Sequence, residues 1–343
     1  MRTLSQLHQW MFMWYDKRMI GYNRQYDIIG DVHGHAEILE NLLHKLGYEY
    51  LSGYYYHPDR TAIFLGDLID RGPENFRTLE IIKTMVDKGS ALIVMGNHEY
   101  NALCYHTRDT RGHFLRPHIQ KNFIQHKEVL QEIETNKKAQ WQEYLEWFRR
   151  MPFFLEIDGF RVVHACWDQW SVDYIKNNNT RDNQGRLTDE FLISSAKKGT
   201  DQFNAVDALL KGLEIKLPPD HPGIYDKDNN LRRKLRLKWW MSPHEFKNVK
   251  TYDQIVRVNE NAAGKIVGLK IPGNFLTEIK KIKKKENTNN TPVFFGHYWF
   301  TGEPQLLTKT AACLDYSVAR GGKLVCYRWD GEQSLDNSKF VPI

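Results

Sequence analysis

Nine residues constrain this chain more than any other stretch: Phe64-Leu65-Gly66-Asp67-Leu68-Ile69-Asp70-Arg71-Gly72. An apolar run enters a glycine-flanked turn that carries two carboxylates and a guanidinium. Because apolar residues precede Gly66, Asp67 belongs at the carboxyl end of a buried strand, where open α/β sheets hold their ligands. Two acids and an arginine within five residues are costly to bury unless a cation, an anion or both bind there. This stretch alone leaves two readings open: a ligand site, or an Asp70–Arg71 pair capping a helix that begins near Pro73.

The same design recurs on both sides. Tyr26–Gly30 reads as a strand ending in Asp31-Val32-His33-Gly34, and Ile38, Leu39, Leu42, Leu43 and Leu46 then fall at helical spacing. Thr61–Leu65 is the next expected strand, with a helix over 74–86 behind it. Ala91–Met95 is the third, ending in Gly96-Asn97-His98-Glu99. Strand, polar turn and helix repeat with a period of roughly 30 residues, the rhythm of an α/β sheet. Residues 100–151 are polar and helical in pattern. A hairpin around Asp158-Gly159 delivers His164, and Pro292–Phe295 delivers Gly296-His297; Ala311–Asp315 and Lys323–Trp329 supply late strands. From 170 to 290 the pattern weakens and charge rises, which marks an inserted cap or lid.

Composition narrows the class. In a chain of 343 residues, 41% hydrophobic and 13% aromatic content supports a packed core. A net charge of +6 suits an anionic substrate without demanding nucleic acid. Cys104, Cys166, Cys313 and Cys326 are widely spaced, which argues against a zinc knot or disulfide framework and for a reducing cytoplasm. No apolar run approaches the roughly 20 residues of a membrane span, and residues 1–20 lack the pattern of a secretory leader. Leu4, Leu7, Met11 and Trp14 instead mark an amphipathic helical extension over 1–24, packed on the body of the protein. The Lys280–Lys285 run, followed by Asn287–Asn290, reads as a solvated connector; no aromatics interleave it as a nucleic-acid surface would require.

Five strand ends thus carry polar groups: Asp31 and His33; Asp67, Asp70 and Arg71; Asn97 and His98; His164; His297. Carboxylate, imidazole and amide oxygen without thiolate suit divalent ions such as Mn, Fe or Zn. They exceed the needs of one tetrahedral ion, so a pair about 3.5–4 Å apart sharing a carboxylate is expected. The other histidines, His126 among them, sit in no motif.

Gly30-Asp31-Val32-His33-Gly34, Gly66-Asp67-Leu68-Ile69-Asp70-Arg71-Gly72 and Gly96-Asn97-His98-Glu99 resemble the three signature motifs of the calcineurin-like metallophosphoesterases. The resemblance is to the phosphoprotein phosphatase branch, with its bacterial and phage serine/threonine phosphatases and its symmetrical dinucleoside tetraphosphatases. It covers about residues 24–100, and His164 and His297 extend it. It implies one metallophosphoesterase domain over 25–343, an α/β fold with a central β-sandwich flanked by helices (αββα), and a cap at about 170–290. It implies that Asp31 and His33 bind one divalent metal, that Asp67 bridges to a second, and that Asn97, His164 and His297 complete the second site. Mn is the expected metal, with Fe, Zn, Mg, Ni or Co as others. His98, paired with Asp70, would protonate the leaving oxygen, while Arg71 and Asn97 would hold the phosphate. Direct attack by a metal-bridging hydroxide on a phosphate ester follows from the same likeness.

Some positions depart from the family pattern. His164-Ala165-Cys166 stands where protein phosphatases have His-Gly-Gly, and Cys166 is read as a bystander rather than a nucleophile. Arg236 is a candidate second phosphate arginine, though its neighbours Arg232 and Arg233 favour a surface position. Asp315 resembles a late strand-end aspartate of the family, or is structural. The expected substrate is phosphorylated: a phosphoprotein or other phosphomonoester first, a dinucleoside polyphosphate as the alternative, then a phosphodiester. A catalytically silent metal-binding scaffold is the competing class, against which the intact His98, Asp70 and Arg71 speak. Neither a membrane nor a nucleic-acid partner is expected.

Overall fold

The computed structural model describes residues 25–157, 159–225, 231–257, 264–273 and 291–343. The extension over 1–24, Asp158, Asn229-Asn230 and the Lys280–Asn290 connector lie outside the described residues.

Two sheets face each other. The first is built on β1 (Gln25–Ile29), β2 (Arg60–Phe64) and β3 (Ala91–Ile93), all parallel. The second starts with β4 (Phe154–Ile157) and β5 (Phe160–Val163), an antiparallel hairpin in which Gly159 sits at φ 99°. It adds β6 (Val293–Phe295) and β7 (Ala311–Cys313) in parallel, in the order β7-β6-β5-β4. The chain then returns to the first sheet as β8 (Asp315–Tyr316), β9 (Lys323–Trp329) and β10 (Phe340–Pro342). There β9 lies antiparallel to β1, with Tyr26 opposite Trp329.

Alternation along the strands makes the sandwich. Ile28, Ile63, Leu65, Leu92 and Val94 point inward from the first sheet. They meet Leu155, Phe160, Val162, Phe294 and Ala312 of the second in one buried cluster. Ile29, Phe64 and Ile93, one position over, share a second core with Leu39, Leu42, Leu79 and Ile82 of the flanking helices, and so do Val163 and Phe295 with Phe191 and Leu209. β2 is buried throughout, and its second half, Ala62–Phe64, reads with Leu65 as an apolar run. The architecture is the αββα sandwich expected from the sequence.

Local chemistry sets the helices. Helix α1 (Ala36–Leu46) buries a stripe of Leu39, Leu42, Leu43 and Leu46 and stops at Gly47, whose φ of 92° permits the left-handed cap. Helix α2 (Asn75–Asp87) has no cap of its own. The Glu132 carboxylate, from another helix, accepts the Asn75 and Phe76 N–H groups at 2.7 and 3.1 Å. Helix α3 (Asn97–His106) carries the third motif; helices α4 (Gln120–Glu134) and α5 (Lys138–Phe148) follow. A small hairpin over Glu49–Leu51 and Tyr54–Tyr56 was not expected. Its signal is Ser52-Gly53, at φ 52° and 91°, as a two-residue hairpin turn demands.

Of the stretch expected as an insertion, the helices over 169–211 contribute Val172, Phe191, Leu192 and Leu209 to the main core. The strands Glu214–Lys216, Lys234–Leu237 and Val256–Arg257 form a separate three-stranded sheet. That sheet has its own core around Ile215, Leu235, Phe246 and Tyr252.

Every motif follows a strand of the sandwich at its carboxyl end, so the polar clusters converge on one edge. The turns press together there. Gly66 sits at φ 85°, and a Cβ on it would lie 2.3 Å from the Gly96 backbone nitrogen. Gly66→Ala is therefore expected to lower stability by about 2 kcal/mol or more. Chemical denaturation would show this as a lower midpoint with an unchanged slope.

Candidate active site

Asp67 lies at the centre. Its carboxylate Oδ2 stands 3.6 Å from His33 Nε2 and 3.9 Å from His98 Nε2, while Oδ1 stands 3.3 Å from His164 Nε2. The two oxygens thus face two different sets of imidazoles. His33, Asp67 and His98 bring one ligand atom each within 4.8 Å of one another, and so do Asp67, His164 and His297. All five residues are buried.

Ring orientation is fixed from behind. His33 Nδ1 lies 3.0 Å from the Ile69 carbonyl and His164 Nδ1 lies 2.7 Å from that of Leu65. A donated Nδ1–H in each case leaves the Nε2 lone pair aimed inward, as a metal ligand requires. Asn97 Oδ1 lies 3.3 Å from His164 Nε2, on the same side. Asp31 turns Oδ2 to the His297 N–H at 3.1 Å. Asp31 falls in neither set, and its Oδ1 is buried without a hydrogen-bond partner.

The electrostatics of these groups are unbalanced. Burial, then the charge of His98, lowers the His33 imidazole to about 3. Burial would also lower His164, but the Asp67 and Asp31 carboxylates outweigh it and raise it to about 10. Burial, then the charge of Asp315, pushes Asp31 well up, while burial, then Arg236 and His164, pushes His297 well down. Asp31 Oδ1, His33 Nε2 and both ring nitrogens of His297 are buried with no hydrogen-bond partner. Buried polar atoms are normally paired, and His33 and His297 each share a group of ligand atoms with Asp67. Divalent cations with oxygen and nitrogen ligands fit this donor set.

Backbone strain collects at the same place. His33, Asp67, Asp70, Arg71, His297 and Trp299 all adopt positive φ, between 49° and 74°, and strain of this kind clusters where surrounding structure imposes it. Part of the imposing structure is Glu99. Its carboxylate accepts the N–H groups of Asp67, Leu68 and Gly96 at 2.9, 2.8 and 3.0 Å, tying the second motif to the third.

His98 and Asp70 pair as the sequence suggested, Nδ1 to Oδ2 at 2.5 Å. Sequence reasoning missed a second partner: His126 Nδ1 stands 2.7 Å from the other Asp70 oxygen. Burial would raise the Asp70 carboxyl, but His126 and His98 together hold it well below the carboxylate range. Asn75 accepts the Asp70 N–H at 2.7 Å.

Arg71 is not paired with Asp70. Its guanidinium lies over the Trp299 ring, 4.5 Å from the centroid, and its Nε is buried without a hydrogen-bond partner. Trp299 was also unforeseen; the Asp315 carboxylate holds its N–H at 2.7 Å and that of Ser317 at 3.0 Å. The expectation of a surface position for Arg236 is corrected. This side chain projects from the small sheet to the His297 carbonyl at 3.4 Å and lies 5.9 Å from the Tyr298 ring centroid. Its neighbours Leu235 and Leu237 face the small sheet's own core, and Arg236 takes the opposite face of the strand. Cys166 is buried beside His164, next to Ala165, whose carbonyl accepts the Trp239 indole N–H at 2.9 Å.

A family model for calcineurin-like phosphoesterases matches residues 26–298. The chain belongs to this family. Among curated relatives, the asymmetrical bis(5'-nucleosyl)-tetraphosphatase PrpE of Halalkalibacterium halodurans is 52% identical over 75 residues, 22% of this chain and 30% of that protein. Its namesake from Oceanobacillus iheyensis is 32% identical over 141 residues, 40% of this chain and 54% of that one. The likeness thus spans from about a third to about half of those phosphoesterases. Among solved structures, a Saccharomyces cerevisiae protein serine/threonine phosphatase overlays with a TM-score of 0.49 and 13% identity, over 94% of this chain and 79% of that one. No helix among the described residues is long and apolar enough to cross a membrane.

Proposed function

We propose that this chain is a dinuclear-metal phosphoesterase that hydrolyses a phosphomonoester with water as the nucleophile. One observation carries the reading: the two oxygens of Asp67 face separate groups of buried imidazoles, at 3.6 Å and 3.3 Å. Asp31, His33 and Asp67 would hold one divalent ion, and Asp67, Asn97, His164 and His297 the other, with Mn as the expected metal. When bound, such a pair lowers the pKa of water towards neutrality and offsets charge on the phosphoryl oxygens.

The remaining steps belong to the side chains. Arg71 offers a planar fork matched to phosphate, set by its place over Trp299. Asn97 lends its side chain beside it. His98, with Nδ1 held by Asp70, delivers its Nε2 proton to the leaving oxygen, which suits an imidazolium near neutral pH. No covalent phosphoenzyme is needed, and the buried Cys166 takes no part. The three-stranded sheet serves as a cap, joined to the site by Arg236. A cytoplasmic setting is part of the proposal, on the wide spacing of the four cysteines.

A dinucleoside polyphosphate is the second substrate class, favoured by the names of the curated relatives. Mn-reconstituted protein assayed with p-nitrophenyl phosphate, phosphoserine and phosphothreonine peptides and diadenosine tetraphosphate separates the two. Phosphate release from the peptides is expected. Turnover of the dinucleotide alone would transfer the reading to the second class, and no turnover of any with metal bound would overturn both.

Arg71→Lys tests the phosphate grip. Loss of the bidentate contact removes about 1.5–3 kcal/mol of charged hydrogen bonding. The expected result is a fall in kcat/KM of roughly 10- to 100-fold, with metal content unchanged.

A further inference from the structure

We propose that His126 is a positioning residue for the general acid, acting on His98 through Asp70; the inference rests on the phosphoesterase reading above. Helix α4 is polar, and its two fully enclosed side chains are His126 and Val129. His126 is 4% exposed, and its Nδ1 donates to Asp70 Oδ1 at 2.7 Å while His98 takes Oδ2 at 2.5 Å. Each oxygen of one buried carboxylate is thus claimed by an imidazole from a different helix. The His126 ring is wedged among Tyr105, His106 and Trp141, with centroids 5.3 to 5.7 Å away, so its direction is fixed by packing.

The same helix grips the Asp70 turn a second time. Glu132 accepts the Asn75 side-chain and backbone N–H groups at 2.8 and 2.7 Å, and Asn75 Oδ1 accepts the Asp70 N–H at 2.7 Å. Backbone and carboxylate of Asp70, a residue held at φ 70°, are therefore both anchored from α4. Without the His126 donor, Oδ1 would be a buried acceptor with no partner. The carboxylate would then rotate to recover a hydrogen bond, and the His98 ring would lose its fixed direction.

A role through the acid has a signature that a purely structural role lacks. Protonation matters most for a poor leaving group, such as a serine alkoxide, and least for p-nitrophenolate. His126→Phe, checked for two bound metals and cooperative unfolding, is expected to lower kcat on a phosphoserine peptide by roughly 10- to 100-fold. KM should change little, and kcat on p-nitrophenyl phosphate should fall several-fold less. His126→Asn, whose amide places a donor near the Nδ1 position, should recover most of the loss. In a His98→Asn background, His126→Phe should add nothing further.

Equal losses on both substrates, an additive loss in the His98→Asn background, or wild-type rates would each overturn the assignment. Should His126→Phe not fold, His126→Gln, whose amide lies one bond too far out to replace Nδ1, is measured instead. It is expected to show the same dependence on leaving group, and its absence overturns the proposal. Failure of the underlying reading is distinct: wild-type protein with metal bound would then turn over neither substrate.

Discussion

Asp67→Asn is expected to fold and to lose both metals together with activity. Asparagine tolerates the left-handed backbone that Asp67 adopts, at φ 49°, and its amide oxygen can still accept the His98 N–H, now 2.9 Å from Oδ1. What it cannot do is present an anionic oxygen to each side. With that oxygen in the Oδ1 place, the His33–His98 pair would face an NH₂ group in place of a ligand, and the negative charge at the centre would be gone. Electrostatic stabilisation of several kcal/mol is at stake, so kcat should fall by about 10³-fold or more. Metal analysis after dialysis checks the first half of the expectation and phosphate release the second. Retention of two metals, or near-normal turnover, would contradict it.

His98→Asn should separate chemistry from metal binding. His98 lies in the first turn of helix α3 and takes its orientation from Asp70, and His33, Asp67, His164 and His297 remain to hold metal without it. Loss of a general acid costs roughly 10²- to 10⁴-fold in kcat. The deficit should be largest for alkyl phosphates and smallest for p-nitrophenyl phosphate, with two metals still bound. Unchanged hydrolysis of a phosphoserine peptide would remove His98 from the proton-transfer role. Loss of metal would show instead that its Nε2, 3.9 Å from Asp67 Oδ2, serves as a ligand.

Much of this site is legible in the chain because its residues are local to strand ends. Asp31, Asp67 and Asn97 each follow an apolar run by a few residues, and a parallel sheet brings such ends to one edge. His164 and His297 come from the second sheet, yet the same rule places them. The sandwich was legible for the same reason, as strands buried on both faces leave continuous apolar runs.

What escaped the sequence depends on contacts between distant elements. His126 lies 56 residues from Asp70, on a helix whose composition is that of a solvated one. Its only local sign is that His126, Val129 and Ile133 share a face at spacings of three and four. Glu99 stood inside a quoted motif, but its task of tying two turns together through three backbone N–H groups is visible only when those turns meet. Trp299 follows His297 closely in sequence. Its platform for Arg71 arises because Asp315 fixes its backbone. Arg236 was misplaced because a run of basic residues reads as surface, and its reach to the His297 carbonyl joins positions 61 residues apart. The hairpin at Ser52-Gly53 was overlooked because aromatic side chains on a small exposed sheet imitate a loop with scattered tyrosines.

The central claim is that Asp67 stands between two metal positions, and metal stoichiometry tests it most directly. Protein reconstituted with Mn, freed of excess metal and examined by anomalous X-ray diffraction should show two ions per chain. They should flank the Asp67 carboxylate about 3.5–4 Å apart. A single ion beside one of its oxygens, or none, would contradict the account.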